Sequence, residues 1–352
     1  MSTADTPERI REAERFSRDI LPAVSRTFAL SVQLLRGELG RSVLCAYLLC
    51  RIADTIEDDG QATPAEKVRL LHEFLSCLDD AALADAFPAR ASHIAGDDAH
   101  VSLLRKTDLV CVLFRSLPAG SRARVAHWVG VMGRGMASFV ERHPAGLRIQ
   151  TVEEYREYCY YVAGTVGCML TELWREHGQV PADRYDALWA RCTRFGEALQ
   201  TVNILKDIAA DVVRENSIFV PEATLRAHGS SHATLLDPGH LQASRAAVGE
   251  FIALAWDDLD QAFEYLLLIP RRAVTVRAFC VLPLLYAYAT LRELTRSDAM
   301  LRPGGVVKIS RREVRALMAG GLAAMGSNAL LRRLVATVRK RPFEPLGVAT
   351  NA

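Results

Sequence analysis

The stretch Gln200-Thr-Val-Asn-Ile-Leu-Lys-Asp-Ile-Ala-Ala-Asp211 decides the fold. Asn203, Asp207 and Asp211 recur at every fourth residue and so share one face of an α-helix, while Ile204, Leu205, Ile208 and the alanines supply apolar surface. A polar stripe on an otherwise apolar helix needs a reason, because a buried carboxylate is costly unless paired or bound to a metal.

Upstream, Arg51-Ile-Ala-Asp54-Thr-Ile-Glu57-Asp58-Asp59 repeats the device. Asp54, Glu57 and Asp58 stand at i, i+3 and i+4, with Arg51 three residues before Asp54 on the same face. The preceding Leu44–Leu49 run is almost wholly apolar, so these acids end a helix that reads as buried. Acids at a helix C-terminus oppose the macrodipole and repel each other, and a bound divalent cation relieves both penalties. Hard oxygen ligands with no His or Cys at ligand spacing suit magnesium, which takes one or two carboxylates and leaves its other positions to water and phosphate. The pattern is not an EF-hand, since Asp59 stands where that loop needs Gly. Gly133-x-Gly135-x-x-Ser138 lacks the third Gly of a dinucleotide fingerprint and follows no strand pattern.

The rest of the 352 residues reads the same way. Long stretches without Gly or Pro carry apolar residues at spacings of three and four, and alternating strand patterns are nearly absent. Breaks fall at Asp58–Pro64, Phe87–Asp98, Pro118–Ser121, His143–Gln150, Gly178–Ala182 and Arg302–Val306, and Arg214–His240 is the longest irregular region. Capping boxes mark helix starts at Thr63/Glu66, Thr151/Glu154 and Ser310/Glu313. With no internal repeat and no low-complexity linker, the expectation is all-α: one helical-bundle domain over 1–352, with about 15 N-terminal and about 12 C-terminal residues flexible.

A net charge of +2, without a basic run interleaved with aromatics, gives no footprint for nucleic acid. The charged N-terminus has no apolar signal region, and eight cysteines without a C-x-x-C pair read as buried reduced thiols, so the expected location is the cytoplasm. Phe279–Leu291 is short of the ~20 apolar residues of a membrane span and contains Pro283. Leu330–Arg341 mixes apolar and basic residues in a way that suits peripheral contact with an anionic bilayer.

Several motifs in order along most of the chain resemble the squalene/phytoene synthase family, its squalene-forming branch in particular. Ser25-Arg26-Thr27-Phe28 looks like a substrate-binding segment, and Tyr47-x-x-x-Arg51-x-x-Asp54-Thr-Ile-Glu-Asp58-Asp59 resembles the first aspartate-rich motif. Tyr158-Cys-Tyr-Tyr161-Val-Ala-Gly164-Thr-Val-Gly167 resembles the central motif with its catalytic tyrosine, here Tyr161. The stretch from Gln200 to Asp211, followed by Ile218-Phe-Val-Pro221, resembles the second aspartate-rich motif, Phe279-Cys-Val-Leu-Pro283 a pocket-lining helix, and Val307-Lys308-Ile309 a loop near the reducing cofactor.

The resemblance implies an isoprenoid-synthase bundle with a central apolar cavity. It implies magnesium-dependent head-to-head condensation of two farnesyl diphosphates to presqualene diphosphate, then reduction by NADPH to squalene. Asp54, Glu57, Asp58, Asn203, Asp207 and Asp211 would hold the metal. Ser25, Arg26, Thr27, Phe28, Tyr47, Arg51, Gln200, Asn203, Lys206, Phe279 and Lys308 would bind substrate or cofactor. Three departures bear on the reduction: Ala210 replaces an acid, Lys206 an arginine, and Ser310 a basic residue. They keep open an enzyme that stops at presqualene diphosphate or makes an unreduced C30 or C40 product. A non-catalytic scaffold derived from the family would have lost the carboxylates.

Overall fold

The computed structural model describes residues 5–25, 28–94 and 98–340. The chain runs through α1 (Pro7–Val24), α2 (Phe28–Leu34), α3 (Gly37–Glu57), α4 (Pro64–Ser76), α5 (Ala81–Arg90), α6 (Asp98–Leu104), α7 (Thr107–Arg115) and α8 (Ala119–Arg142). It continues with α9 (Val152–Cys159), a π-helical turn over Tyr160–Gly164, α10 (Thr165–Glu176), α11 (Ala182–Arg214), α12 (Glu222–Ala227), α13 (Leu241–Leu268), α14 (Val274–Arg296), α15 (Arg311–Ala324) and α16 (Asn328–Lys340). Among the described residues there is no strand, only an isolated bridge between Arg148 and Ile218. By internal contacts the chain divides into Met1–Leu147 with Tyr160–Gly178, and Arg148–Cys159 with Gln179–Ala352.

In the first unit α3 is buried nearly all round, from Leu39 through Leu48 and Leu49 to Ile56, as an apolar helix must be. It packs on α7 and α8, and α4 closes against α8. Thr63 starts α4 with a complete capping box, its hydroxyl accepting from Glu66 N while the Glu66 carboxylate accepts from Thr63 N at 3.0 Å. The N-terminal segment expected to be flexible is instead helical from Pro7. Thr6 caps it, the stripe Ala13, Ser17, Leu21, Val24 is buried, and Asp5 accepts two hydrogen bonds from Arg115 at 2.6 and 2.9 Å. The C-terminal twelve residues lie outside the described ones. Pro88 falls inside the last turn of α5, which delays the expected break to Ala91.

The second unit is built on α11 against α13, with α14 on both. At 33 residues α11 extends for roughly 50 Å. The long irregular region holds one short α-helix, α12, and a 3-10 turn at Pro238–His240. Pro283 does not interrupt α14, which is 23 residues long and apolar enough to cross a membrane, but 78% of its apolar window is buried inside the protein. The expectation that this segment is too short to span is therefore corrected by its length, while its burial marks it as a core helix. Glu313 does not close the capping box on Ser310: Ser310 Oγ accepts from Glu313 N at 3.0 Å, but the Glu313 carboxylate turns to Arg292 at 2.9 and 3.1 Å. Arg277, fully buried, donates to the carbonyls of Leu266, Ile269 and Met325 and to Asn328 Oδ1. On α16 the apolar residues Leu331, Leu334, Val335 and Val338 are buried against α14 and α15, leaving Leu330 exposed. The stretch expected to lie on a bilayer thus spends its apolar face inside the fold. All eight cysteines are buried.

Candidate active site

In the first unit the predicted residues from Ser25 to Asp54 form a connected chain. Ser25 Oγ accepts from Phe28 N at 3.0 Å, starting α2, and the Phe28 ring lies 6.2 Å from that of Tyr47 on α3. The Tyr47 hydroxyl donates to Val24 O at 3.3 Å and accepts from Arg51 Nη2 at 3.3 Å, one turn on. Arg51 Nη1 lies 3.4 Å from Asp54. Burial, the largest influence on Arg51, works to discharge it, but Asp54 and Tyr47 outweigh it and hold the guanidinium firmly charged. Burial likewise pushes the Asp54 carboxyl above the usual carboxylate range, with Arg51 and His100 only partly offsetting it. Asp54 is thus an under-compensated carboxylate near the end of a buried helix.

Beyond it, Asp58 ends α3, its N–H bonded to Asp54 O at 2.8 Å; its side chain is exposed and that of Glu57 half-buried. Lys67 Nζ donates to Glu57 O at 2.6 Å, placing a cation at the negative end of the helix. Asp59 shapes the turn into α4, its carboxylate accepting from Gln61 N and Ala62 N at 2.9 and 2.6 Å.

Tyr161 sits in the same unit, in the π-helical turn between α9 and α10. Such a turn widens the backbone spiral by one residue and is frequent at functional sites. Its ring is half-buried, edge-on to Phe139 of α8 at 6.3 Å and to Tyr160 at 5.4 Å. Gly164 and Gly167 are buried.

In the second unit α11 carries Gln200, Asn203, Lys206, Asp207 and Asp211. Asn203 is exposed, Gln200, Asp207 and Asp211 are half-exposed, and Val202, Ile204, Leu205, Ile208 and Ala209 are buried, so the predicted stripe is present. Lys206 Nζ lies 3.0 Å from Asp207 Oδ2. The following segment is stitched to Arg148–Gln150 by Ile149 N→Ile218 O at 3.1 Å, with Phe219 against Tyr158 at 5.1 Å. Phe279 is buried on α14, and Lys308 is exposed just before α15. Arg26 and Thr27 lie outside the described residues.

The predicted residues therefore divide between the units: Ser25 to Asp58 and Tyr161 in the first, Gln200 to Asp211, Phe279 and Lys308 in the second. Among the described residues no three His, Cys, Asp or Glu side chains already converge on one ion position. The oxygen donors present still fit magnesium, which needs only one or two of them beside phosphate and water.

Sequence reading missed two features. One is a buried charge network supporting α9 and α11: Asp258, fully buried on α13, takes Arg156 at 2.5 Å and Arg194 at 3.2 Å, and Arg194 also holds Glu197 at 3.1 Å. Burial raises both carboxyl groups against the two arginines. Nothing in a linear pattern links positions so far apart. The other is the surface of α8 under Tyr161, whose only signal was the glycine pair Gly133 and Gly135.

The squalene/phytoene synthase pattern matches residues 21–313. Squalene synthase 1 of Arabidopsis thaliana is 28% identical over 299 residues, 84% of this chain and 68% of that protein. Squalene synthase BSS of Botryococcus braunii is 28% identical over 313 residues, 87% of this chain and 64% of that one. The chain thus spans about two thirds of the length of the curated relatives it matches. A solved complex of TcSQS with the ligand BPH1237 superposes with a TM-score of 0.82 at 25% identity, covering 96% of this chain and 94% of that one.

Proposed function

The chain belongs to the squalene/phytoene synthase family of prenyltransferases, and from that we propose that it joins two farnesyl diphosphates head to head into presqualene diphosphate and carries this on, with NADPH, to squalene. The observation that carries the reading is Asp54: a carboxylate raised by burial, tied to Arg51, at the end of an apolar helix. A divalent cation would offset the cost of holding that partly exposed carboxylate charged beside Arg51. Asp54 and Asp58, with Glu57, would hold magnesium in the first unit, and Asp207 and Asp211, with Asn203, in the second. Magnesium, when bound, neutralises the charge that develops as diphosphate leaves an allylic carbon.

The chain's own groups do the rest. Arg51 and Lys206, together with Arg26, grip phosphate through charge-assisted hydrogen bonds, and Tyr47 holds Arg51 in place while offering its hydroxyl. Ser25 fixes the start of α2 and so the Phe28 ring, and Gln200 lies one turn before Asn203 on α11. Phe28 and Phe279 contribute apolar surface that keeps water from the carbocation. Tyr161 accepts or relays the proton lost when the cyclopropane closes. NADPH supplies the hydride of the second half-reaction. Lys308, followed by Arg311 and Arg312 at the start of α15, is the exposed basic set suited to its phosphates. Ser310 is committed to capping α15, and Lys206 pairs with Asp207, so neither replaces in full the basic residue the family's squalene-forming members use. The whole chain acts as one synthase domain in the cytoplasm, with peripheral membrane contact where the apolar product partitions.

The test is incubation of the purified chain with farnesyl diphosphate and magnesium, with and without NADPH, followed by product identification. Squalene with NADPH, and presqualene diphosphate without it, is the expected result. Presqualene diphosphate accumulating with no NADPH consumed, or an unreduced C30 or C40 hydrocarbon, limits the reading to the condensation. No prenyl product at all overturns it.

A further inference from the structure

We propose that Gly135 is a positioning residue for Tyr161, fixing where the phenolic oxygen stands; the inference rests on the proton-transfer role proposed above. A Cβ built on Gly135 would overlap Cγ and Cδ1 of the Tyr161 ring and lie 2.7 Å from its Cβ. The ring therefore occupies the volume that any other residue's side chain would take. The obstacle is the root of a ring whose backbone is itself held, so it cannot swing aside as a flexible chain end would. The contrast lies on the same helix: a Cβ on Gly133 meets the outer methyls of Leu75 at 3.0 and 3.2 Å, and one on Gly130 meets the Arg134 guanidinium at 3.0 Å.

Two further restraints act on the same side chain. Phe139, one turn beyond Gly135, meets the ring edge-on, and the Arg142 guanidinium stacks 3.9 Å over Phe139. The backbone is fixed by the π-helical turn and by buried Thr165, whose hydroxyl donates to Tyr161 O at 2.7 Å. Glycine in a helix interior weakens the helix relative to alanine, so Gly135 is a local cost that the ring position offsets. Proton transfer demands heavy-atom placement within a few tenths of an ångström, which is the placement this slot supplies.

The test compares Gly135→Ala, Tyr161→Phe and the double variant in presqualene diphosphate formation without NADPH, measuring kcat and KM and checking the fold by circular dichroism and thermal unfolding. Gly135→Ala is expected to lose about ten- to a hundredfold in kcat with KM for farnesyl diphosphate unchanged. The double variant should be no slower than Tyr161→Phe alone, because the glycine acts only through the hydroxyl. Gly133→Ala should keep wild-type kcat. If Gly135→Ala does not fold, Gly135→Ala/Tyr161→Ala, which removes the obstructing ring, should recover the melting temperature; failure to recover overturns the slot. A wild-type kcat in Gly135→Ala, or independent losses that multiply in the double variant, overturns the positioning role while a slow Tyr161→Phe leaves the tyrosine's role standing. A fully active Tyr161→Phe instead sinks the tyrosine's role itself.

Discussion

Removing the Glu313 carboxylate should cost about 3 kcal/mol of stability. Arg292 and Glu313 are 2% and 8% exposed, and the carboxylate accepts two hydrogen bonds from one guanidinium nitrogen at 2.9 and 3.1 Å. Breaking a buried pair from one side typically costs about 3–5 kcal/mol, because a charge is left without compensation. The lower figure applies here, since Arg292 keeps the Val338 carbonyl at 2.9 Å and Glu293 at 2.7 Å, the latter near solvent. Urea unfolding of Glu313→Ala followed at 222 nm should show the loss as a lower midpoint at constant slope. Replacing the pair together, as Arg292→Met/Glu313→Leu, should recover most of it, because the Coulombic attraction of a buried pair roughly balances its desolvation. A single-variant cost below about 1 kcal/mol, the range of exposed pairs, would refute the reasoning. So would a double variant no more stable than the single one.

Asp54→Ala and Asp207→Ala should each abolish turnover while leaving the helical circular dichroism intact, and excess chelator should abolish it in the wild type; full activity in any of these excludes the metal reading. Tyr161→Phe should still bind farnesyl diphosphate, seen by isothermal calorimetry, yet lose most condensation, and an unchanged rate would make the hydroxyl merely structural. The hydrogen bond from Arg115 holds the Asp5 carboxyl below its ordinary value of 3.8. The stability this adds is complete above that value and is lost only as pH falls through the lower folded one. Proteolysis of α1 should therefore accelerate only in strong acid, and Asp5→Asn should show the faster cleavage already at neutral pH; no difference between the two proteins would discount the strap.

Much of this was legible because it is local. The four-residue spacing of Asn203, Asp207 and Asp211 needs only helix geometry, and the Thr63 capping box closes within four residues. What escaped depends on partners distant in sequence. Glu313 reads as the far half of a capping box, but a desolvated guanidinium is a stronger claimant than a backbone N–H that solvent could satisfy. Leu331, Leu334, Val335 and Val338 declare an apolar face without saying what covers it, and α14 and α15 do so before any bilayer can. Pro283 signals a break by its missing N–H, yet α14 runs on because burial on many sides outweighs one lost hydrogen bond. The π-helical turn was invisible because one extra residue within Tyr160–Gly164 leaves the apolar composition unchanged. The Gly135 slot faces Tyr161, which stands far along the chain on that same turn.

Arg277 gives the second unit a joint of unusual chemistry. Among the described residues its hydrogen bonds all run to neutral groups: the carbonyls closing α13, the carbonyl at the end of α15, and the Asn328 amide oxygen. The counter-charge is the pair of helix C-termini, each worth roughly −0.5 of an elementary charge. Such a counterion is made of backbone, so it has no proton to gain in acid, and buried as it is, dissolved electrolyte scarcely reaches it. Where the Asp5–Arg115 strap opens on acidification and surface pairs fade in brine, this junction should hold at one strength across ionic conditions. It disappears only when the helices that generate the field themselves unravel.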